Sequence, residues 1–422
     1  MDSNIYYGYN KNIFRSERVK NMKKLIWVTV ACVVPFYAIA SELKPTVQQL
    51  QMLLNEYRLN SGAPAAVMSI GVLNKKIMNF TSGTLLKKTK TNPKPPKVTV
   101  NNLFQIGSIT KNFIAAIVLQ LEAENKLSIN ETIEDMTTKY GSWLPKKAVK
   151  AWKNITIKEL LNMTSGIYNY TEDPQFIKML VKNPQRQWTP EELIKIAYEH
   201  RSLFFPGRSY HYCDTNYIII GLLIEAITHQ SLQMTLNQRL FQPLHLTDTF
   251  YIPYAYSKTI MNRMAHGYGT TAQAGEVPPP EKVGNDITRF NLSMGGAAGA
   301  MISTAPDLVR WIQALFNNQV LPAKQLKEML TPVCVGDDGT CKPGMSLPSG
   351  SHSNGYGLGI ASFFYPIYGT CWTYLGSTPG YYADFLWIPK KNTALALTVS
   401  ATTKKTMKII PVLISVSKMI VD

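Results

Sequence analysis

Strand-like segments lie at both ends of this 422-residue chain, with a long helix-rich stretch between them. Near the N-terminus, 65–73 and 76–82 read as two strands joined by a turn at Asn74-Lys75. The same character returns at 356–364, 371–375, 381–388 and 393–400. From about 120 to 290 the pattern is mostly helical, with helices expected at 157–163, 190–200 and 217–227. Another helix is expected at 307–316 behind the capping signal Ser303-Thr304. Helical spacing also marks 47–57 and the apolar segment 404–421, which Pro411 interrupts. One sheet is therefore assembled from both ends, with a helical insertion between them. That predicts an α+β fold with a sheet part at about 43–105 and 350–422 and a helical part at about 106–349. A cleft between the two parts is the natural place for a site.

Hydrophobic content of 45% and charged content of 17% describe a globular chain large enough to bury a substantial core. The net charge is +17, and residues 1–40 contribute six basic and two acidic side chains to it. A basic surface suits anionic surroundings, so peripheral contact with a cell envelope is one reading and plain solubility is the other. Lys87, Lys88, Lys90, Lys94 and Lys97 cluster, but Pro93, Pro95 and Pro96 break the run, which reads as an exposed loop. No nucleic-acid module is present in the pattern, and no glycine-rich phosphate loop. The six histidines show no metal-ligand spacing, so neither metal nor cofactor is expected.

Residues 1–40 read as an extension followed by a secretion signal. Lys20, Lys23 and Lys24 precede the apolar run 25–37, and Ala38-Ile39-Ala40 supplies small residues for cleavage before Ser41. Met22 is the expected start of translation. The expectation is thus a secreted or periplasmic protein whose single catalytic domain is 41–422. Oxidising surroundings favour a disulfide, and Cys334 and Cys341 flank a turn-rich segment that can close on itself. Cys213 and Cys371 are either free or joined to each other.

Ser108-Ile109-Thr110-Lys111 follows an apolar stretch and opens the helix-like run 112–121. A serine and a lysine three apart on a helix share one face. A hydroxyl is a poor nucleophile until a neighbour takes its proton, and a lysine one turn away can do that. The spacing alone is weak, because Ser41-x-x-Lys44 and Ser415-x-x-Lys418 share it. Ser108 is equally suited to cap a helix. Its weight comes from Tyr212-Cys213-Asp214 and Tyr374-Leu375-Gly376-Ser377-Thr378, which begin 104 and 266 residues further on.

In order and spacing these segments resemble the serine β-lactamase and penicillin-binding superfamily, in its class C β-lactamase and D-Ala-D-Ala carboxypeptidase branch. Leu160-Leu161-Asn162-Met163-Thr164-Ser165-Gly166, 299–308 and Tyr356-Gly357-Leu358-Gly359 agree with it, so the resemblance spans roughly 45–420. It implies an antiparallel sheet flanked by the N- and C-terminal helices. It implies Ser108 as the nucleophile of an acyl-enzyme, Lys111 as the lysine that takes or relays its proton, and Tyr212 as the general base and acid. The backbone N–H groups of Ser108 and Ser377 would form the oxyanion hole, and Asp214, Tyr374, Gly376, Ser377 and Thr378 would meet the substrate. The implied substrate is a small peptide, ester or β-lactam.

Two positions depart from the family pattern. Asp214 stands where the family has an amide, and an ionised carboxylate only accepts hydrogen bonds. Beside Lys111 it is expected to hold that amine charged and to shift proton work onto Tyr212. Tyr374 stands where the family has a cation that binds a substrate carboxylate. Asn216 lies too far along to be assumed a substitute for the missing amide. The expected function is an exported serine hydrolase, D-Ala-D-Ala carboxypeptidase-like on cell-wall peptides. An esterase or β-lactamase is the alternative, and a non-catalytic penicillin-binding-like protein is the other.

Overall fold

Eight strands from the two ends of the chain pair into one wholly antiparallel sheet. In chain order they are β1 (Ala65–Val72), β2 (Met78–Gly83), β3 (Val333–Cys334), β4 (Gly355–Tyr356), β5 (Ala361–Tyr365), β6 (Gly369–Thr378), β7 (Tyr381–Ile388) and β8 (Thr393–Val399). Their spatial order is β2-β1-β8-β7-β6-β5-β4-β3, so the first strands slot directly beside the last one. This computed structural model describes residues 47–269, 284–336, 341–347, 351–403, 405–406 and 409–421. The expected signal segment at 1–40 and the proline-rich loop expected at 275–282 lie outside the described residues.

The two central strands β7 and β8 are buried along their whole length, because both faces of the sheet are covered. Successive side chains alternate between faces. On one side Leu395, Leu397 and Val399 join Ala66, Met68 and Ile70 under the helices α1 (Val47–Ser61) and α5 (Ile409–Val421). On the other side Ala394, Ala396, Phe385 and Trp387 meet the helical part. The register Ala66↔Val399 keeps these two sets apart, and a one-residue slip would exchange them. Leu54 of α1 is 0% exposed, a site where truncation to alanine typically costs about 2–5 kcal/mol.

Three further helices position the cleft: α2 (Thr110–Ala123), α3 (Asp214–Thr228) and α4 (Ala305–Phe316). The segment from Thr110 to Leu119 is buried on every side, as expected of a helix that is apolar all round. Thr304 accepts a hydrogen bond from the Asp307 backbone, so the expected cap is present. A small sheet of Phe104–Gln105, Phe250–Tyr251 and Met301–Ser303 delivers the chain to the start of α2.

Several boundaries differ from the sequence reading. The strand expected at 356–364 breaks in two, because Gly357 N–H donates to the Ile360 carbonyl and Gly359 takes a positive φ. The strand expected at 371–375 extends to Gly369–Thr378. The helix expected at 217–227 begins earlier, at Asp214, and the one expected at 157–163 stops at Leu161 as the chain turns at Met163. The terminal helices α1 and α5 dock on the sheet, as expected. Cys334 and Cys341 form a disulfide, and Cys213 and Cys371 are buried free thiols.

Candidate active site

Ser108 sits in a one-turn 3-10 helix, Gly107–Ile109, between the small sheet and α2. Gly107 has φ +47°, and a Cβ there would lie 2.6 Å from the Ser377 carbonyl oxygen. From the other side, a Cβ on Gly376 would lie 1.8 Å from the Ile106 carbonyl oxygen. Two glycines therefore let the serine turn and the edge of β6 approach to backbone distance. The main chain at Gly107, next to Ser108, thus lies against that of Ser377.

Tyr212 arrives from a loop that ends where α3 begins. Asn169 holds this loop by donating to the Tyr212 carbonyl and accepting from the Asp214 N–H at 3.0 Å. His211 N–H donates to the carbonyl of Met163, itself in the left-handed region. Asn216 lies behind, donating to the Leu160 carbonyl and accepting from Ser165, so it is part of this support and does not stand in for the missing amide.

Two predicted side chains, one from the next turn and one from a distant segment, meet at the Ser108 hydroxyl. Lys111 Nζ lies 3.0 Å from Ser108 Oγ, and Tyr212 donates to the same oxygen at 2.8 Å. The ammonium position is also 4.9 Å from the centre of the Tyr212 ring. Lys111 is fully buried and its three hydrogens are all committed, to Ser108, to the Ala298 carbonyl at 2.7 Å and to Asp214 Oδ1 at 2.6 Å.

The electrostatic outcome at Lys111 combines the expected influence of Asp214 with an opposing one. Burial disfavours its charged form and outweighs the adjacent Asp214 carboxylate, so its pKa falls below the ordinary lysine value. Asp214 acts in the expected direction, toward the charged form, and moderates a depression that desolvation causes.

Other predicted residues are distributed as follows. Ser377, Thr378 and Asp214 line the cleft beside Ser108, but Thr378 spends its hydroxyl hydrogen on Gln105 Oε1 at 2.6 Å. Leu375, Ser377 and Thr378 of β6 border the cleft, whereas Tyr374 packs into the core on the helical side of the sheet. Tyr374 is 0% exposed, and its hydroxyl pairs with that of Tyr356, so the expected substrate contact is replaced by a buried phenol pair. Gly376 likewise serves the close approach to Ile106 and adds nothing to the cleft wall. Sequence reasoning missed Glu172 and His211, which stand 3.0 Å apart on the cleft wall. His211 sits inside the Tyr212 motif and was within reach of inspection, whereas Glu172 carries no pattern of its own.

Comparison with known proteins agrees with this geometry. The Beta-lactamase family model matches residues 62–413, and the chain belongs to that family. Penicillin-binding protein 4 of Amycolatopsis lactamdurans is 28% identical over 273 residues, 62% of this chain and 61% of that protein. Protein flp of Staphylococcus aureus is 27% identical over 64% of this chain and 49% of its own length. The chain thus spans about half the length of the first curated relatives it matches. Among solved structures, a D-stereospecific amidohydrolase from Streptomyces sp. superposes with TM-score 0.68 and 27% identity, over 86% of this chain and 98% of that one. A D-amino acid amidase from Ochrobactrum anthropi SV3 shares the fold, with TM-score 0.69 and 23% identity over 87% of this chain and 97% of that one. The fold and the site residues are those of the serine β-lactamase and penicillin-binding superfamily.

Proposed function

We propose that this protein hydrolyses small amides or esters through an acyl-enzyme on Ser108. The observation that carries the reading is the convergence of Lys111 Nζ and the Tyr212 hydroxyl on Ser108 Oγ, at 3.0 and 2.8 Å. Lys111, in its unprotonated form, takes the Ser108 proton, directly or through Tyr212, and Tyr212 returns a proton to the leaving group. The N–H groups of Ser108 and Ser377 hold the oxyanion; losing one such donor typically costs about 10²–10³-fold. The likeness to a D-stereospecific amidohydrolase supports an amide substrate.

D-Ala-D-Ala carboxypeptidase-like action on cell-wall peptides is the narrower reading, favoured by the penicillin-binding relatives. It asks for a group to receive the terminal carboxylate. No lysine or arginine is among the described residues lining the cleft, Lys111 has no hydrogen to spare, and Tyr374 is buried. We therefore place neutral amides and esters ahead of a carboxylate-terminated peptide. A β-lactam is a second candidate acyl donor. A non-catalytic role is disfavoured by the committed hydrogen bonds around Ser108. Export with cleavage after Ala40, leaving 41–422 as the catalytic domain, belongs to the same proposal and fits the Cys334–Cys341 disulfide. Peripheral contact of its basic surface with the cell envelope would follow.

A panel of 4-nitrophenyl acetate, a D-amino acid amide, a cephalosporin and a D-Ala-D-Ala peptide tests the reading. Turnover is expected for the first two, falling by about 10⁴-fold or more in Ser108→Ala. Turnover that survives Ser108→Ala, or is confined to the D-Ala-D-Ala peptide, contradicts it.

A further inference from the structure

The charges of the cleft do not cancel locally. Its described lining contains two carboxylates, Glu172 and Asp214, and one imidazole, His211, with no lysine or arginine. Asp214 is matched by Lys111 at 2.6 Å. Its other oxygen accepts from the Thr171 hydroxyl at 3.3 Å. Glu172 follows Thr171 directly, in the short 3-10 turn Tyr170–Glu172 that Asn169 caps. Tyr170 anchors this turn from below by donating its hydroxyl to the Met294 carbonyl at 2.6 Å.

The path from the nucleophile to Glu172 is short and continuous. It runs from Ser108 to Lys111, to Asp214, to Thr171 and so to the neighbouring Glu172. One carboxylate oxygen of Glu172 lies 3.0 Å from His211 Nε2, and the side chain is 33% exposed. A carboxylate offers about four acceptor sites, so one imidazole leaves room for a second donor from the cleft.

We propose that Glu172 is a specificity-determining residue that receives a protonated amine on the acyl part of the substrate. The favoured substrate class is then an amino-acid amide or ester with a free ammonium group. This inference rests on the acyl-enzyme reading of Ser108 and narrows it. His211 stands beside the Glu172 carboxylate, and the capped turn presents that carboxylate to the cleft. The same charge repels an acyl donor whose corresponding group is a carboxylate.

The test compares phenylalanine 4-nitroanilides of both hands, each with a free amine and N-acetylated, beside 4-nitrophenyl acetate. A charged hydrogen bond is worth about 1.5–3 kcal/mol, so the native protein should favour the free amine in kcat/KM by about 10-fold or more. In Glu172→Gln that preference should collapse toward unity, with the change carried by KM for the amine substrate rather than by kcat. Glu172→Lys should reverse it, favouring an N-succinyl substrate over the free amine. A wild-type preference below about 2-fold, or a preference kept in Glu172→Gln and Glu172→Lys, overturns the amine subsite. Burst turnover of 4-nitrophenyl acetate by the native protein in that case leaves the acyl-enzyme reading standing. Absence of acylation by every substrate overturns both.

Discussion

Lys111 shows how two opposing effects at one residue are decided. Sequence reasoning identified the amine and the carboxylate beside it, and from that pair expected a charged lysine. Burial is the missing quantity: the amine is enclosed by α2, α3 and the 296–299 turn, and desolvation dominates. Asp214→Asn therefore removes the influence that raises the Lys111 pKa and leaves the influence that lowers it. A base works unprotonated, so activity rises with pH through the pKa of that base. The acid limb of kcat/KM is expected to move to lower pH in Asp214→Asn, as measured on 4-nitrophenyl acetate across pH 4–9. An unmoved limb, or one displaced upward, would count against Lys111 as the proton acceptor. Tyr212→Phe keeps the ring and removes the hydroxyl. It should cost about 10²–10⁴-fold in kcat, and an effect under 3-fold would remove Tyr212 from the proton path. Of these residues, Ser108, Lys111 and Tyr212 were legible because their spacing matches a family pattern. Glu172 was not, because only the folding of 162–172 against the Tyr212 loop brings it to the cleft.

At the scale of elements, the site depends on how closely β6 approaches the serine turn. Gly107 and Gly376 make that approach possible from opposite sides, and neither contributes a group of its own. The sequence displayed Gly376 as part of a motif, which invited a substrate-binding role. Its steric role appears only when the Ile106 carbonyl is found against it. Gly376→Ala must push the strand away from Ile106, so the Ser377 N–H leaves its position. The variant should lose about 10²–10³-fold in kcat while its KM changes little, checked alongside a circular dichroism spectrum matching the parent. Wild-type kcat in a folded Gly376→Ala would show that the backbone of Ser377 holds no oxyanion. Strands β7 and β8 were readable from their continuous apolar runs. The β4–β5 break was not, because it comes from the turn at Gly357–Ile360 within an otherwise strand-like run. Tyr374 turned inward for a related reason: its phenol finds the Tyr356 hydroxyl across β4–β6, a pairing invisible in either segment alone.

The whole molecule is three layers: terminal helices, a sheet shared between the chain ends, and the helical part that carries most of the cleft. That plan was legible from where the strand-like segments fall along the chain. Unforeseen was a carboxyl group inside it. Asp384 on β7 is 0% exposed; Thr373 donates to one oxygen at 2.8 Å, while the other has no hydrogen-bond partner. Burial pushes its carboxyl up to about 8, against about 4 for an exposed aspartate. The folded state therefore holds this proton over a range where the unfolded chain has released it. Its contribution to stability is complete below about pH 4 and is lost as pH rises to about 8. Asp384→Asn stays neutral throughout, so urea denaturation at pH 4.5 and pH 9 should show a smaller loss of stability between the two than in the parent. Parallel losses in the two proteins would mean that Asp384 is ionised in the folded state. The layered plan exists to hold one hydroxyl between an amine and a phenol, and that arrangement has a direct chemical readout. The protein is mixed with a fluorophosphonate, its intact mass is recorded, and the adduct is mapped by peptide sequencing. One adduct per chain on Ser108, absent from Ser108→Ala and slowed in Tyr212→Phe, is the predicted result; no adduct on the folded protein, or labelling at another residue that persists in Ser108→Ala, contradicts it.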